Sequence, residues 1–143
     1  MAERLTIEQL SCKASGVPYK PFGRDYDGID CWGVIVLAYR DVLGIELPRY
    51  ERDYSSPEEW AEVMGVIERG RDAGPWVKVE RPAPMDVVLL KLNGFVCHVG
   101  LAIGGGWMLH CLAPLGTCSE RLNGVRWSKR LHGFYRHRSR CSE

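Results

Sequence analysis

The stretch Gly28-Ile29-Asp30-Cys31-Trp32-Gly33-Val34-Ile35-Val36-Leu37-Ala38-Tyr39 constrains this chain more than any other. An Asp stands directly before a Cys, and the Cys opens a nearly unbroken apolar run. Asp is a strong N-cap, because its carboxylate accepts a bond from an unpaired amide of the first helical turn. Gly44 follows the run and suits the left-handed residue that ends a helix. A helix from Cys31 to about Leu43 is therefore expected. It is apolar on most sides, which marks a helix buried on several faces. At its N-terminus the positive end of the helix dipole favours thiolate over thiol at Cys31. That is the setting a cysteine nucleophile needs.

The chain has 143 residues, one domain's worth, and residues 1–143 are read as a single domain. A net charge of +1 supplies no field that would draw it to nucleic acid or a membrane surface. No apolar run reaches membrane-spanning length. The segment from Met1 to Glu8 has no apolar signal-peptide region, so the chain is expected to be made in the cytoplasm without an export signal. Cys12, Cys31, Cys97, Cys111, Cys118 and Cys141 are then expected as reduced thiols. None of them forms a CxxC pair, so no metal is expected, and no cofactor either. Apart from Cys31 they are read as small apolar fillers. Cys97 and Cys111 are placed together on the core face, where oxidation could join them.

Thr6-Ile7-Glu8-Gln9 reads as a capping box opening a helix that stops near Gly16, with Leu5, Ile7 and Leu10 inward. The segment from Gly16 to Gly28 is a Pro-, Gly- and Asp-rich loop that also carries aromatic residues. Ser56-Pro57-Glu58-Glu59 opens a helix carrying Trp60, Val63, Met64 and Ile67, which ends before Gly70. Beyond Trp76 the pattern turns to strands: 76–80, 86–92, 95–103 and 107–112, with short ones near 117–120, 125–127 and 133–136. Asn93-Gly94 is a hairpin signal, and Gly104-Gly105-Gly106 is a second turn. The fold class is α+β: N-terminal helices, the Cys31 helix among them, packed on an antiparallel meander.

His98 and His110 lie on the central hairpin, and register decides whether they share a face. A three-residue Gly104-Gly105-Gly106 loop would pair Ile103 with Trp107 and make the histidines diagonal neighbours. A two-residue loop would separate them. The odd-length loop is expected. Gly100 and Ala102 continue the His98 face and would leave room for the Cys31 helix. A generalised triad follows: Cys31 attacks a carbonyl, His98 holds the thiolate and protonates the leaving amine, and His110 orients His98. Backbone amides at the helix N-terminus would bind the oxyanion.

Gly16-Val17-Pro18-Tyr19, Phe22-Gly23, Asp30-Cys31-Trp32-Gly33, His98-Val99-Gly100-Leu101 and Leu109-His110 fall in the order seen in the NlpC-type cell-wall cysteine peptidases. The chain resembles that family from about Thr6 to Arg136. The resemblance implies a reduced papain-like fold and an endopeptidase acting on peptidoglycan stem peptides. It implies Cys31 as nucleophile, His98 as base, His110 as the orienting residue, and Tyr19 lining the site. Two departures stand out: Trp32 where most members have Ser, and Met85-Asp86 where they often have Gly-Asp. The Trp32 variant and the Gly133-Phe134-Tyr135-Arg136 ending resemble the subgroup encoded with phage tail genes. That resemblance implies a virion-tail location, tail-tip proteins as partners, and a role in opening the wall during entry.

Tyr19 and Trp32 are the candidate substrate or oxyanion contacts, against a reading in which each only packs. Asp30 is a cap and not an acid catalyst. His132 and His137 are read as surface residues. Arg126, Lys129, Arg130, Arg136, Arg138 and Arg140 are read as a solvated basic face. The alternatives are a catalytically silent structural tail component, a peptidoglycan amidase, or an acyltransferase on the same scaffold.

Overall fold

A computed structural model describes residues 3–49, 65 and 75–141. The helix expected to open at Ser56 lies outside them. The first helix, α1 (Ile7–Ala14), starts as its sequence requires. Thr6 Oγ1 accepts from Gln9 N at 3.1 Å, and Gln9 Oε1 accepts from Thr6 N at 2.9 Å. Leu10 and Ala14 are buried, with Leu5 and Ile7 packed against the same core. The loop beyond α1 contains a small two-stranded ribbon, β1 (Arg24–Asp25) and β2 (Gly28–Ile29).

The Cys31 helix, α2 (Cys31–Ala38), is buried along its whole length. It continues into a π-helical turn, Tyr39–Leu43, and stops at Gly44 in the left-handed conformation, φ 70°. Asp30 caps α2: its Oδ1 accepts from Gly33 N at 2.8 Å. The same carboxylate accepts from Arg24 Nη1 at 2.7 Å and from Phe22 N at 3.0 Å. Gly33 is required by the approach of the loop, because a Cβ there would lie 2.4 Å from the Gly23 carbonyl oxygen.

The main sheet has β3 (Trp76–Val79), β4 (Val87–Leu92), β5 (Phe95–Gly104), β6 (Trp107–Leu112), β7 (Gly116–Arg121) and β8 (Leu131–His137). All pairs are antiparallel, in the order β3-β8-β4-β5-β6-β7. The expected meander holds from β4 to β7. The last strand departs from it and inserts between β3 and β4. Arg136 on β8 accounts for part of this. Its Nε and Nη2 each lie 2.9 Å from the Asp86 carboxylate, which is fully buried and also accepts from Ala83 N at 2.7 Å. Arg136 is thus an ion-pair partner and not part of a solvated basic face. Met85 beside it holds φ 80°, the conformation that makes Gly the ordinary residue at this turn.

No strand forms at 125–127. The alternation there comes from a turn in which Val125 is fully exposed and Trp127 is buried. Two of the smaller expectations also change. Cys12 is exposed, not a filler. His137 packs on the rings of Tyr39 and Trp76 and caps the terminal 3-10 turn through Ser139 N.

The sheet has two apolar faces. Val87, Leu89, Val99, Leu101, Leu109 and Cys111 pack with α2. Val88, Leu90, Ala102 and Met108 pack with Leu122 and Trp127. The larger aliphatic residues of β5 are the odd-numbered ones, so α2 takes that face. Gly100 and Ala102 therefore do not make room for the helix. A Cβ at Gly100 would meet Met108 Sδ at 2.8 Å and His110 Cβ at 3.6 Å, so the space serves β6.

Asp30 and Arg24 are each nearly inaccessible, with 3% of either side chain exposed. Asp30→Ala removes a cap and leaves a buried guanidinium without its carboxylate. A loss of about 3–5 kcal/mol is expected from urea unfolding, and Asp30→Asn, which can still cap, should lose less. Equal losses for the two variants would contradict this account.

Candidate active site

The two histidines share a face, by a different route from the expected loop. Gly104 pairs with Trp107 across a two-residue turn, Gly105-Gly106. Alone, that turn would put His98 and His110 on opposite faces. A β-bulge at Ile103 adds one residue, so Ala102 pairs with Met108 and Leu101 with Leu109. The parity of the expected three-residue loop is recovered inside the strand. His98 Nε2 then lies 2.8 Å from His110 Nδ1.

The relay has a third member. His110 Nε2 lies 2.6 Å from Glu120 Oε2. Glu120 sits in no motif and is not among the residues expected at the site. Its signal is positional: Ala113-Pro114-Leu115 is a three-residue turn, and Leu112 pairs with Gly116. That register puts Cys118 opposite His110 and Glu120 two residues on, on the same face. Arg126 Nη1 reaches Glu120 Oε1 at 3.4 Å.

The bonding fixes the proton positions. A carboxylate can only accept, so His110 carries its proton on Nε2 and presents a lone pair at Nδ1. His98 must then donate from Nε2, which leaves the lone pair on its Nδ1. No hydrogen bond occupies that nitrogen among the described residues. Trp127 stacks on the His98 ring at 5.5 Å and meets His110 edge-on at 5.1 Å. Burial pushes the His98 pKa well below 6.5, with His110 and Arg126 adding to the shift. Burial lowers His110 as well, against the opposing pull of Glu120. Glu120 is held below the ordinary carboxyl range: burial would raise it, but Trp127 and His110 outweigh that.

Cys31 stands at the first position of α2, 7% exposed. Cys111 lies close by on the α2 side, its Sγ donating to the Ile29 carbonyl at 3.2 Å. Tyr19 bridges Ile29 and is 40% exposed. Burial raises its pKa, and the charges of Asp30, Cys31 and Cys111 raise it further. Trp32 does not serve as a side-chain contact for a ligand. It is 1% exposed and its Nε1 donates to Pro48 O at 2.7 Å, which ties the segment after α2 to the helix.

The site thus comes in two parts. His98, His110 and Glu120 are joined by hydrogen bonds, and Cys31 is grouped with Tyr19 and Cys111. A second β-bulge, at Cys97, directly precedes His98: Leu90 pairs with His98 and Lys91 with Val96. Such bulges bend a strand and re-aim the neighbouring side chain. Cys97 is accordingly only half-buried, its Sγ 3.6 Å from the Leu92 carbonyl.

Because burial lowers the folded-state pKa of His98, the unfolded chain binds more protons just below pH 6.5. Stability therefore falls as pH drops through that value, and the native structure is favoured above it. Urea midpoints at pH 7.5 and 5.5 should show the drop, and His98→Gln should shrink it. A parent midpoint independent of pH would contradict the buried neutral histidine.

The chain is similar to known proteins over most of its length. The family model described as the NlpC/P60 family matches residues 16–136. The murein DD-endopeptidase MepS/murein LD-carboxypeptidase of Escherichia coli is 29% identical over 117 residues, covering 82% of this chain and 54% of that protein. The probable endopeptidase NlpC of the same species is 26% identical, covering 80% and 65%. The chain thus spans about half to two thirds of the length of these relatives. Among solved structures, the NlpC/p60 domain of the peptidoglycan hydrolase SagA superposes with a TM-score of 0.60 at 22% identity, covering 91% of this chain and 95% of that one. An NlpC/P60 family protein from Bacillus cereus gives 0.64 at 22%, covering 94% and 41%. With its papain-like α+β architecture and this match over most of its length, the chain belongs to the NlpC/P60 family of cysteine peptidases.

Proposed function

We infer that this chain is a thiol endopeptidase that hydrolyses peptide bonds in the stem peptides of bacterial peptidoglycan. The observation that carries the reading is the His98–His110–Glu120 relay, whose tautomers leave a lone pair on His98 Nδ1. The murein endopeptidase named among its relatives supports the substrate class.

In this mechanism His98 Nδ1 takes the Cys31 thiol proton. The thiolate attacks the scissile carbonyl, and the positive end of α2 favours the developing oxyanion. The His98 imidazolium, stabilised through His110 by the Glu120 carboxylate, then gives its proton to the leaving amine. Water attacks the thioester with His98 again as base, and Cys31 is regenerated. The step requires the His98 ring to reach the N-terminus of α2, which Tyr19 borders. Among the described residues no helix is long and apolar enough to cross a membrane. Trp32 and the Gly133-Phe134-Tyr135-Arg136 ending support placement among phage tail proteins, where the chain would open the wall during entry beside other tail-tip components.

One observation favours a second reading, a silent structural tail component: Cys31 is buried, only 7% exposed. A thiol probe at neutral pH separates the two, since a working site labels Cys31 ahead of exposed Cys12. Purified murein and defined muropeptides test the reaction itself. The parent should release truncated stems, and Cys31→Ala should lose at least about a thousandfold in turnover while remaining folded. Free intact stem peptides would mean an amidase, and equal digestion by the variant would end the thiol mechanism. Glu120→Gln tests the relay. It should lower kcat about tenfold or more with little change in KM. Its acid limb should also move to lower pH, because a neutral amide no longer favours the imidazolium. An unmoved limb would reduce Glu120 to a structural role.

A further inference from the structure

Cys118 is a free thiol, but its surroundings are polar and not those of an apolar filler. Its Sγ lies 4.0 Å from His110 Nε2 and 3.9 Å from Glu120 Oε2. The three ligand atoms lie within 4.8 Å of one another. Absence of a CxxC pair says nothing about this arrangement, because its members come from two neighbouring strands. Cys118 and Glu120 are half-buried, with 23% of the Glu120 side chain exposed, so an ion can reach the group from solvent.

We propose that His110, Cys118 and Glu120 form a site for one zinc-class cation, and that its occupation switches off His98. The switch rests on the peptidase reading above; the site does not.

The donor set of one imidazole, one thiolate and one carboxylate, with an open position for water, suits tetrahedral zinc. Zinc–ligand distances of about 2.0–2.3 Å require ligand atoms about 3.3–3.6 Å apart. The two sulfur distances are longer by only a few tenths of an ångström. The 2.6 Å gap between His110 and Glu120 must open by about 0.7 Å. That bond is replaced by the ion, which both atoms then share. Two negative ligands balance the divalent charge. Arg126, already on Glu120 Oε1, can keep that bond while Oε2 turns to the metal.

The proton balance gives the effect on catalysis. Cys118 releases its thiol proton to solvent and binds as thiolate. Burial and the neighbouring Glu120 carboxylate hold that proton on in the metal-free protein. The ion needs the lone pair of His110 Nε2, so the proton there moves to Nδ1. His110 Nδ1 then donates to His98 Nε2 instead of accepting from it. His98 must carry its own proton on Nδ1, the nitrogen assigned to the thiol. Both imidazoles stay neutral, but the base has lost its lone pair toward Cys31.

Cobalt(II) provides the first test, because a thiolate ligand gives an intense charge-transfer band and a tetrahedral site gives characteristic visible bands. The full chain should bind one equivalent with both, and zinc should displace it. Cys118→Ala should lose the charge-transfer band and weaken zinc binding by more than about tenfold. No band in the parent, or an unchanged band in Cys118→Ala, would overturn the site. The switch is read by nitrogen NMR of the His98 ring in Cys31→Ala protein, where no turnover is involved. Zinc should move the His98 proton from Nε2 to Nδ1, and an unmoved proton would overturn the switch. In murein digestion, zinc should inhibit the parent and spare Cys118→Ala, whose metal-free rate should equal the parent's. Equal inhibition of both proteins would overturn the switch. A metal-free parent that digests nothing would defeat the peptidase reading, while the cobalt and NMR measurements would still decide the metal site and its tautomer effect.

Discussion

One carboxylate, that of Asp30, holds together the part of the molecule on which the rest depends. It accepts from Gly33 N, Phe22 N and Arg24 Nη1. The first bond starts α2, the second fixes the loop that carries Tyr19, and the third ties down β1. Arg24 in turn holds the Arg49 carbonyl through Nε at 3.0 Å, so the segment following α2 is drawn in as well. With the helix start, the loop and the ribbon all referred to one side chain, the position of Cys31 is set by backbone geometry on every side. The cost of burying that charge is offset only while all partners are present, which is why a neutral apolar residue cannot stand in for it.

Much of this half was legible in the sequence because its determinants are local. A cap, a capping box, an Asn-Gly turn and a terminal glycine act within a few residues of where they stand, and Asp30, Thr6, Asn93-Gly94 and Gly44 each do what their chemistry prescribes. The ordered motifs from Gly16 to His110 carried the family. The insertion of β8 between β3 and β4 was not legible, since it depends on the contact of Arg136 with Asp86, fifty residues away. The false strand at Val125-Arg126-Trp127 shows the same limit from the other side. Alternating apolar residues fit a turn equally well when one of them is needed as a lid.

The pairing of His98 with His110 was legible in the sequence, and the way the fold achieves it was not. His98 and His110 on one face followed from counting an odd number of residues between paired positions. The sequence could not say whether the odd residue lay in the turn or in the strand, because three consecutive glycines permit either. The bulge at Ile103 supplies it. Trp32 reads as a site residue by position, yet α2 is buried on all sides, and a large ring directly after Cys31 can only go inward.

Glu120 and Cys118 change how the relay should be understood. In a chain of two imidazoles ending on a carboxylate, no tautomer is chosen independently. The acceptor-only end orders the first ring, the first ring orders the second, and the lone pair emerges at the far nitrogen of His98. The same coupling makes the far end sensitive to anything that competes for His110 Nε2. A Trp127 ring stacked on His98 and edge-on to His110 helps to keep both buried imidazoles from water that could otherwise supply or remove a proton midway. Dryness therefore has two effects here. It keeps His98 neutral and ready to accept a proton, and it makes the proton order along the relay depend on what Glu120 and its neighbours present to His110.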